Sequence, residues 1–405
     1  MSFKRTKVLV LGAGYAGIQA VAKMQSKLSR HTLDVTLINK NEFHYESTWL
    51  HEVAAGAIEW HHATYSINHI VDTLKTNFVQ ATVTAIDKEA KKVQTTAGEF
   101  DYDVLVVALG FESESFGIQG MDDHAHTIVS PETAISVWEE INKNFNRYLE
   151  SGDENDLSIV VGGGGFTGFE FLGELSNTIP ELCKELGIDR NKVKITAIEA
   201  MPKVLPMFPE HLADYAKNFL KENQIELMTG TAITAANEEG LMVKVDEEER
   251  LIPGATRVWT AGVRGNKLME ESFEGVKRGR IIVKPDLTIE GHPEIFVIGD
   301  CAAAMNGEGE GARPYPTTAQ IAMQMGELTA TNVGHIVKGE KTEAFKFNDR
   351  GTVCSLGIHD GIGVALGREV TGRRAAMLKR IIDTRAIFKV GGPILALSRG
   401  KLLNI

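Results

Sequence analysis

With 405 residues, 43% apolar and 24% charged, the chain is long enough for two or three cored domains and is no lone binding module. No apolar run approaches the roughly 18 residues of a bilayer span, and a net charge of −11 argues against nucleic acid as the main partner. Cys183, Cys301 and Cys354 lie far apart without a C-x-x-C pair, which excludes a disulfide framework or dithiol centre and predicts buried thiols.

A short polar lead, Met1 to Lys7, leaves no room for a signal peptide, so the mature chain is expected to start in the cytoplasm. The run Val8-Leu9-Val10-Leu11 enters Gly12-Ala13-Gly14-Tyr15-Ala16-Gly17, and a pattern of helical period follows from Ile18 to Leu28. This reads as strand, glycine turn, helix. The first glycine permits a tight turn, the second lets a pyrophosphate approach the backbone, and the third lets helix and strand pack closely. The next strand, Val35-Thr36-Leu37-Ile38, ends at Asn39-Lys40 where an acid is usual; Asn39 can still bond ribose hydroxyls and Lys40 can neutralise phosphate. Val104 to Leu109 is a further buried strand, closed by Gly110.

The pattern then repeats. Ser158 to Val161 enters Gly163-Gly164-Gly165-Phe166-Thr167-Gly168 and a helix from Phe169, and Thr256 to Ala261 closes at Gly262. Gly12 to Gly163 and Gly110 to Gly262 span 151 and 152 residues, an agreement that two chance glycine motifs would seldom produce. Val193 to Ile198 ends at Glu199, whose carboxylate suits ribose hydroxyls and repels a 2′-phosphate, favouring NADH over NADPH. The 31 residues from Gly168 to Glu199 exceed the usual spacing of about 20, so an extra turn or helix is expected within 176–191. Glu170 sits on the first turn of the second loop helix, as either a solvated partner of the helix dipole or a carboxylate serving the dinucleotide.

After the second unit closes, Ile295 to Ile298 leads into Gly299-Asp300-Cys301-Ala302. An aspartate at that strand end suits a flavin ribityl chain and implies that the chain returns to its first domain. Gln320 and Gln324, one helical turn apart, read on their own as a solvated face. The tail from Thr371 carries eight basic residues against Asp383 alone. From Arg374 to Val390, Leu378, Ile381, Ile382 and Phe388 recur at near-helical spacing among Lys379, Arg380, Arg385 and Lys389, the pattern of an interfacial amphipathic helix. Gly391-Gly392-Pro393 breaks it, and Ile394 to Leu397 is too short to span a membrane, leaving Arg399 and Lys401 for its surface.

These motifs, with His44-Tyr45, Phe169-Glu170-Phe171, Pro316-Thr317-Thr318-Ala319-Gln320-Ile321-Ala322 and Leu378 to Arg385, resemble the two-dinucleotide disulfide-reductase fold. Within it they resemble the bacterial type II NADH dehydrogenases. The resemblance implies an α/β chain with two Rossmann-type domains: an FAD domain over 1–114 and 266–342, and an NADH domain over 115–265. A C-terminal domain over 343–405 would carry a membrane-associating segment, 374–402. It implies non-covalent FAD held by Gly12, Gly14, Tyr15, Ala16, Gly17, Asn39, Lys40, Thr48, Val83, Gly110, Gly299, Asp300, Ala319 and Gln320. NADH would lie on Gly163, Gly164, Gly165, Phe166, Thr167, Glu170, Glu199, Ala261 and Gly262, and quinone on Gln320, Gln324, Lys379 and Ile382. Glu170, Gln320 and Lys379 are the implied catalytic residues, and no metal is expected. Gly164 departs from the alanine common in relatives, a change expected to matter little.

The implied reaction passes hydride from NADH to N5 of FAD, then two electrons with protons to menaquinone or ubiquinone, without pumping. It is expected on the cytoplasmic face of the cell membrane, in a peripheral homodimer. Disulfide reductases and NADH peroxidases or oxidases need cysteines after the first helix, where Asn41-Glu42-Phe43-His44 has none. The alternatives are a sulfide:quinone oxidoreductase-like flavoenzyme, which needs cooperating cysteines, and a non-enzymatic NADH-sensing flavoprotein, which predicts little turnover.

Overall fold

In the computed structural model, the apolar run before the first glycine loop forms the strand Thr6–Leu11. Its last four residues are buried, as a parallel strand covered on both faces requires. The structure describes residues 5–246, 248–307, 309 and 311–402; the first four residues of the polar lead and the last three of the basic tail lie outside these. Thr6–Leu11 pairs in parallel with Leu33–Asn39 on one side and Val104–Val107 on the other. Val104–Val107 pairs in turn with His292–Val297, so the first sheet takes a strand from far along the chain. Thr76–Gln80 and the short antiparallel Thr288–Ile289 close its two edges.

The second sheet repeats the arrangement. Its parallel order is His126–Thr127, Thr256–Trp259, Ser158–Gly162, Lys194–Ile198 and Ile225–Met228. The extra length expected within 176–191 is taken up by helix and turn: Phe166–Leu186 runs 21 residues through Pro180 and is followed by a single 3-10 turn, Arg190–Lys192. One apolar core runs through both sheets. A smaller one, including Val160, Leu241, Val243 and Trp259, seats the antiparallel strands from Ala232 to Pro253 on the second sheet.

Two helices meet closely over the first sheet. Tyr15–Lys27 lies against Ala319–Lys338, with Gly326 so near that a Cβ there would fall 2.3 Å from the Ala16 carbonyl oxygen. Beyond them, Gly351–Ser355, Gly361–Ala365 and Arg368–Thr371 form a small antiparallel sheet that leads into the last helix, Gly372–Arg399. That helix is broken at Gly392, whose φ of 72° is open to glycine, with Pro393 next. The three cysteines are free and buried.

Candidate functional site

The two glycine loops have the same anatomy. At Gly12 φ is +97°, and a Cβ would lie 2.2 Å from the Ala108 oxygen; at Gly17 one would lie 2.0 Å from the Gly12 oxygen. At Gly14 a Cβ meets nothing within 4 Å. The second loop matches, since Gly163 and Gly168 are crowded at 2.7 and 2.1 Å while Gly165 is open. The outer glycines are therefore required by the protein itself, and the middle one faces outward. Gly14 and Gly165 also begin the two loop helices without a side-chain cap, leaving first-turn N–H groups directed at the space where a phosphate would sit.

Asn39 and Glu199 do equivalent work. Asn39 Oδ1 accepts from the Ala13 N–H at 2.9 Å, and Glu199 Oε2 accepts from the Gly164 N–H at 2.6 Å, the second residue of each loop. Glu199 Oε1 also accepts from the Met201 N–H at 2.8 Å, so the carboxylate stands fixed at the strand end. Gly164 corrects the expectation that its difference from alanine is of little consequence. A Cβ there would lie 2.9 Å from Val204 Cγ1 and 3.0 Å from Glu199 Cβ and Cγ, so alanine would require the Val204 or Glu199 side chain to shift.

Several other expected FAD residues surround the first loop. Gly299 has φ +68°, and the Asp300 carboxyl beside it accepts no hydrogen bond among the described residues. Burial pushes Asp300 up to about 6, with Arg280 opposing. A half-buried acceptor with no hydrogen-bond partner among the described residues, at the mouth of an open glycine loop, fits the hydroxyls of a flavin ribityl chain. Ala319 opens the returning helix behind its Thr318 cap, the Gly110 carbonyl accepts from Cys301 Sγ, Val83 begins an edge strand, and Lys40 is exposed. Tyr15, by contrast, turns its hydroxyl inward: it donates to Glu46 at 2.5 Å and lies 2.9 Å from Thr48 Oγ1. Tyr65 donates to the other Glu46 oxygen at 2.5 Å. Burial acts to raise the Glu46 carboxyl, but His44 beside it and hydrogen bonds from Tyr15 and Tyr65 hold it below the ordinary carboxylate range. This buried base under the loop was missed in the sequence, where Glu46 and Tyr65 belong to no motif.

The decisive junction lies at Glu170. It is 7% exposed, which removes the solvated reading. Its Oε1 accepts from both the N–H and the hydroxyl of Ser355 at 3.2 Å and stands 3.7 Å from Lys379 Nζ; its Oε2 is 3.6 Å from His51 Nδ1. Lys379 is also 3.4 Å from Asp383. Burial works to discharge Lys379, but Asp383, Glu170 and Glu52 overcome it and hold the ammonium above the ordinary lysine range. His51 is kept neutral, its value pushed down to about 3 by burial and by Lys379 and Lys401 against the pull of Glu52. A cleft of about 850 Å³ opens on this junction, walled by Trp49, Trp138, Glu52, Glu174, Lys379 and Lys401 among others. His51, Glu52, Asp383 and Lys401 escaped the sequence reading as site residues, although His51-Glu52 interrupts an apolar stretch and was a visible signal.

Gln320 and Gln324 both bind backbone at the entry to the C-terminal sheet. Gln320 donates to the Gly351 carbonyl at 3.2 Å and accepts from the Arg350 N–H at 2.8 Å, while Gln324 makes the same pair of bonds with Asn348. Both amides clamp the 348–351 backbone, the start of the strand whose last residue, Ser355, holds Glu170.

The family model for pyridine nucleotide-disulphide oxidoreductases matches residues 6–326. The type II NADH:quinone oxidoreductase of Staphylococcus saprophyticus is 56% identical over 403 residues, covering 99% of this chain and all of that one. The chain belongs to the type II NADH:quinone oxidoreductases. A solved structure of NDH2 from Plasmodium falciparum in complex with NADH shares the family's fold at a TM-score of 0.87 and 17% identity, covering 98% of this chain and 97% of that one. The sulfide:quinone oxidoreductase of Aquifex aeolicus is similar in fold alone, with a TM-score of 0.78 at 18% identity over 95% and 91% of the two chains.

In this type II NADH:quinone oxidoreductase five of the tail's eight basic residues bind groups of the body. Lys389 pairs with Glu327 at 2.5 Å, and Lys401 pairs with Glu52 and lies 4.1 Å over the Trp49 ring. Arg399 and Arg380 donate to the carbonyls of His61 and Ile358. Arg373, Arg374 and Arg385 stay exposed and make no ion pair among the described residues. Beside them Met377, Ile381, Ile382, Phe388, Ile394 and Leu397 form an exposed apolar stripe, while Ala375, Ile387, Val390 and Leu395 pack inward. No helix among the described residues is long and apolar enough to cross a membrane.

Proposed function

We propose that the chain binds FAD non-covalently in its first unit, oxidises NADH on its second, and reduces a membrane quinone without pumping protons. The observation that carries this reading is the Glu170 junction. The first turn of the second loop helix, the C-terminal sheet and the C-terminal helix meet there through Ser355 and Lys379. FAD, when bound, supplies the two-electron relay between the substrates. Gly14 and its helix N-terminus would receive its pyrophosphate and Asp300 its ribityl hydroxyls, with Asn39 bracing the loop. Gly165 and the matching helix would receive the NADH pyrophosphate, and Glu199 would accept its ribose hydroxyls and exclude a 2′-phosphate.

Glu170 holds its carboxylate against Lys379 at the turn nearest the nicotinamide. The Lys379 ammonium faces the quinone oxygen, gives it a proton as negative charge grows there, and takes one back from Glu170. Ile382 would flank the quinone, while Gln320 and Gln324 fix the strap behind Ser355. The sheet topology supports dividing the chain into an FAD unit over 1–114 and 266–342, an NADH unit over 115–265 and a C-terminal unit over 343–405. The exposed stripe with its three arginines attaches the protein peripherally to the cytoplasmic membrane face. We take the assembly to be a homodimer, which sedimentation velocity checks.

Steady-state turnover of the purified flavoprotein with NADH or NADPH and a menaquinone or ubiquinone analogue tests the central reading. Quinone reduction strongly favouring NADH is expected. A holoprotein that binds NADH but passes no electrons to any quinone would return it to the sensing role.

A further inference from the structure

Quinone reduction has a proton requirement that NADH does not fill. NADH yields two electrons and one proton as hydride, whereas quinol formation takes up two electrons and two protons. One proton must therefore reach the buried junction from water.

We propose that Glu174 carries that proton from the cleft to Glu170, an inference that rests on the quinone-reducing reading above. Glu174 is one helical turn beyond Glu170 on Phe166–Leu186, which sets their Cβ atoms about 5–6 Å apart on one face. It is 4% exposed, yet its side chain lines the cleft. The groups around it come from four elements. Glu170, with His51 against it, shares its helix, and Glu52 faces Glu174 from Leu50–Ala54, Glu139 from Pro131–Ser151, and Lys379, Arg380, Asp383 and Lys401 from the C-terminal segment.

Most of the buried acids here are already spoken for. Glu52 pairs with Lys401, Asp383 with Lys379 and Lys401, and Glu170 with Ser355 and Lys379. Glu174 makes no side-chain hydrogen bond or ion pair among the described residues, the state of a carboxyl that keeps its proton. Burial, then Glu52 and Glu170, push it up to about 8 against Lys401 and Arg380. In the step, the Glu174 O–H bond breaks and its proton passes to the Glu170 carboxylate. Glu170 passes a proton on to Lys379 as that ammonium protonates the quinone oxygen, and cleft water reprotonates Glu174. Glu174 touches neither substrate and acts only through Glu170.

The test compares the full-length holoprotein with Glu174→Gln and Glu174→Ala at matched FAD content. NADH is oxidised with either a soluble menaquinone analogue or ferricyanide, which takes electrons and no proton. The quinone-to-ferricyanide rate ratio should fall on the order of 10²-fold in both variants. Wild-type quinone reduction should decline above about pH 8, and Glu174→Gln should lose that limb. Formate or acetate should partly restore the ratio in Glu174→Ala and leave wild type unchanged. An unchanged ratio with the wild-type pH profile in Glu174→Gln, or no rescue of Glu174→Ala, overturns the relay alone. Wild type that reduces ferricyanide but no quinone overturns the acceptor reading, and the relay with it.

Discussion

Membrane attachment can be divided between charge and apolar contact, because the structure separates the tail's outward cations from its internal ones. Arg373, Arg374 and Arg385 are exposed, whereas Lys389 is bound to Glu327. A cation near an anionic surface contributes about 1 kcal/mol, so the triple change of these arginines to Gln should weaken binding to anionic vesicles by about 3 kcal/mol, roughly 10²-fold at low salt. Lys389→Gln, which removes the same single charge as Arg385→Gln, should weaken it far less than Arg385→Gln does. Ile394 and Leu397 are 81% and 66% exposed. Immersing such side chains contributes roughly 1–2 kcal/mol each, so changing both to Ser should cost about 3 kcal/mol. That loss should persist near 1 M salt, where a Debye length of about 3 Å abolishes the arginine contribution. Vesicle co-sedimentation across a salt series, on protein retaining FAD, measures all three. Equal losses from Lys389→Gln and Arg385→Gln would refute the reasoning, as would full binding by the Ile394/Leu397 double variant.

Three further outcomes follow from the site. Gly17→Ala should fail to fold or bind FAD, because its Cβ would strike the Gly12 oxygen, whereas Gly14→Ala should fold and lose FAD affinity alone; flavin fluorescence and thermal melting separate the two. Glu199→Ser should narrow the preference for NADH over NADPH in kcat/KM, and wild type using both equally would contradict the ribose reading. His51, at about 3 in the fold and about 6.5 unfolded, leaves the unfolded chain binding more protons between those values. Stability should therefore fall by up to about 1.4 kcal/mol per unit as pH drops below 6.5, a slope that calorimetry should find reduced in His51→Asn.

Where a residue's task is set by its own strand or turn, the sequence disclosed it. The loops at Gly12 and Gly163 were legible because apolar runs, glycines and helical period occur together within about 20 residues. Asn39 looked like a degraded signature, yet it accepts from the second loop residue as Glu199 does, a likeness visible once the loops are superposed in mind. Pairings across the chain were not legible. Lys401 meets Glu52 across 349 residues, and Gln320 meets Arg350 only because the C-terminal sheet folds back over the returning helix. The tail's charge count misled for the same reason: composition records cations without saying which of them the body neutralises.

The first sheet also has a history on the ribosome. Val104–Val107 gains Thr6–Leu11 as a neighbour from chain already made, but its other edge stays open until His292–Val297 emerges about 190 residues later. At synthesis rates of about 5–20 residues per second that is a wait of roughly 10–40 s, during which the second unit has time to fold. An uncovered edge of four apolar residues invites pairing between nascent chains. The strand that ends fully enclosed thus passes through a period when a chaperone, or a neighbouring polysome, competes for it.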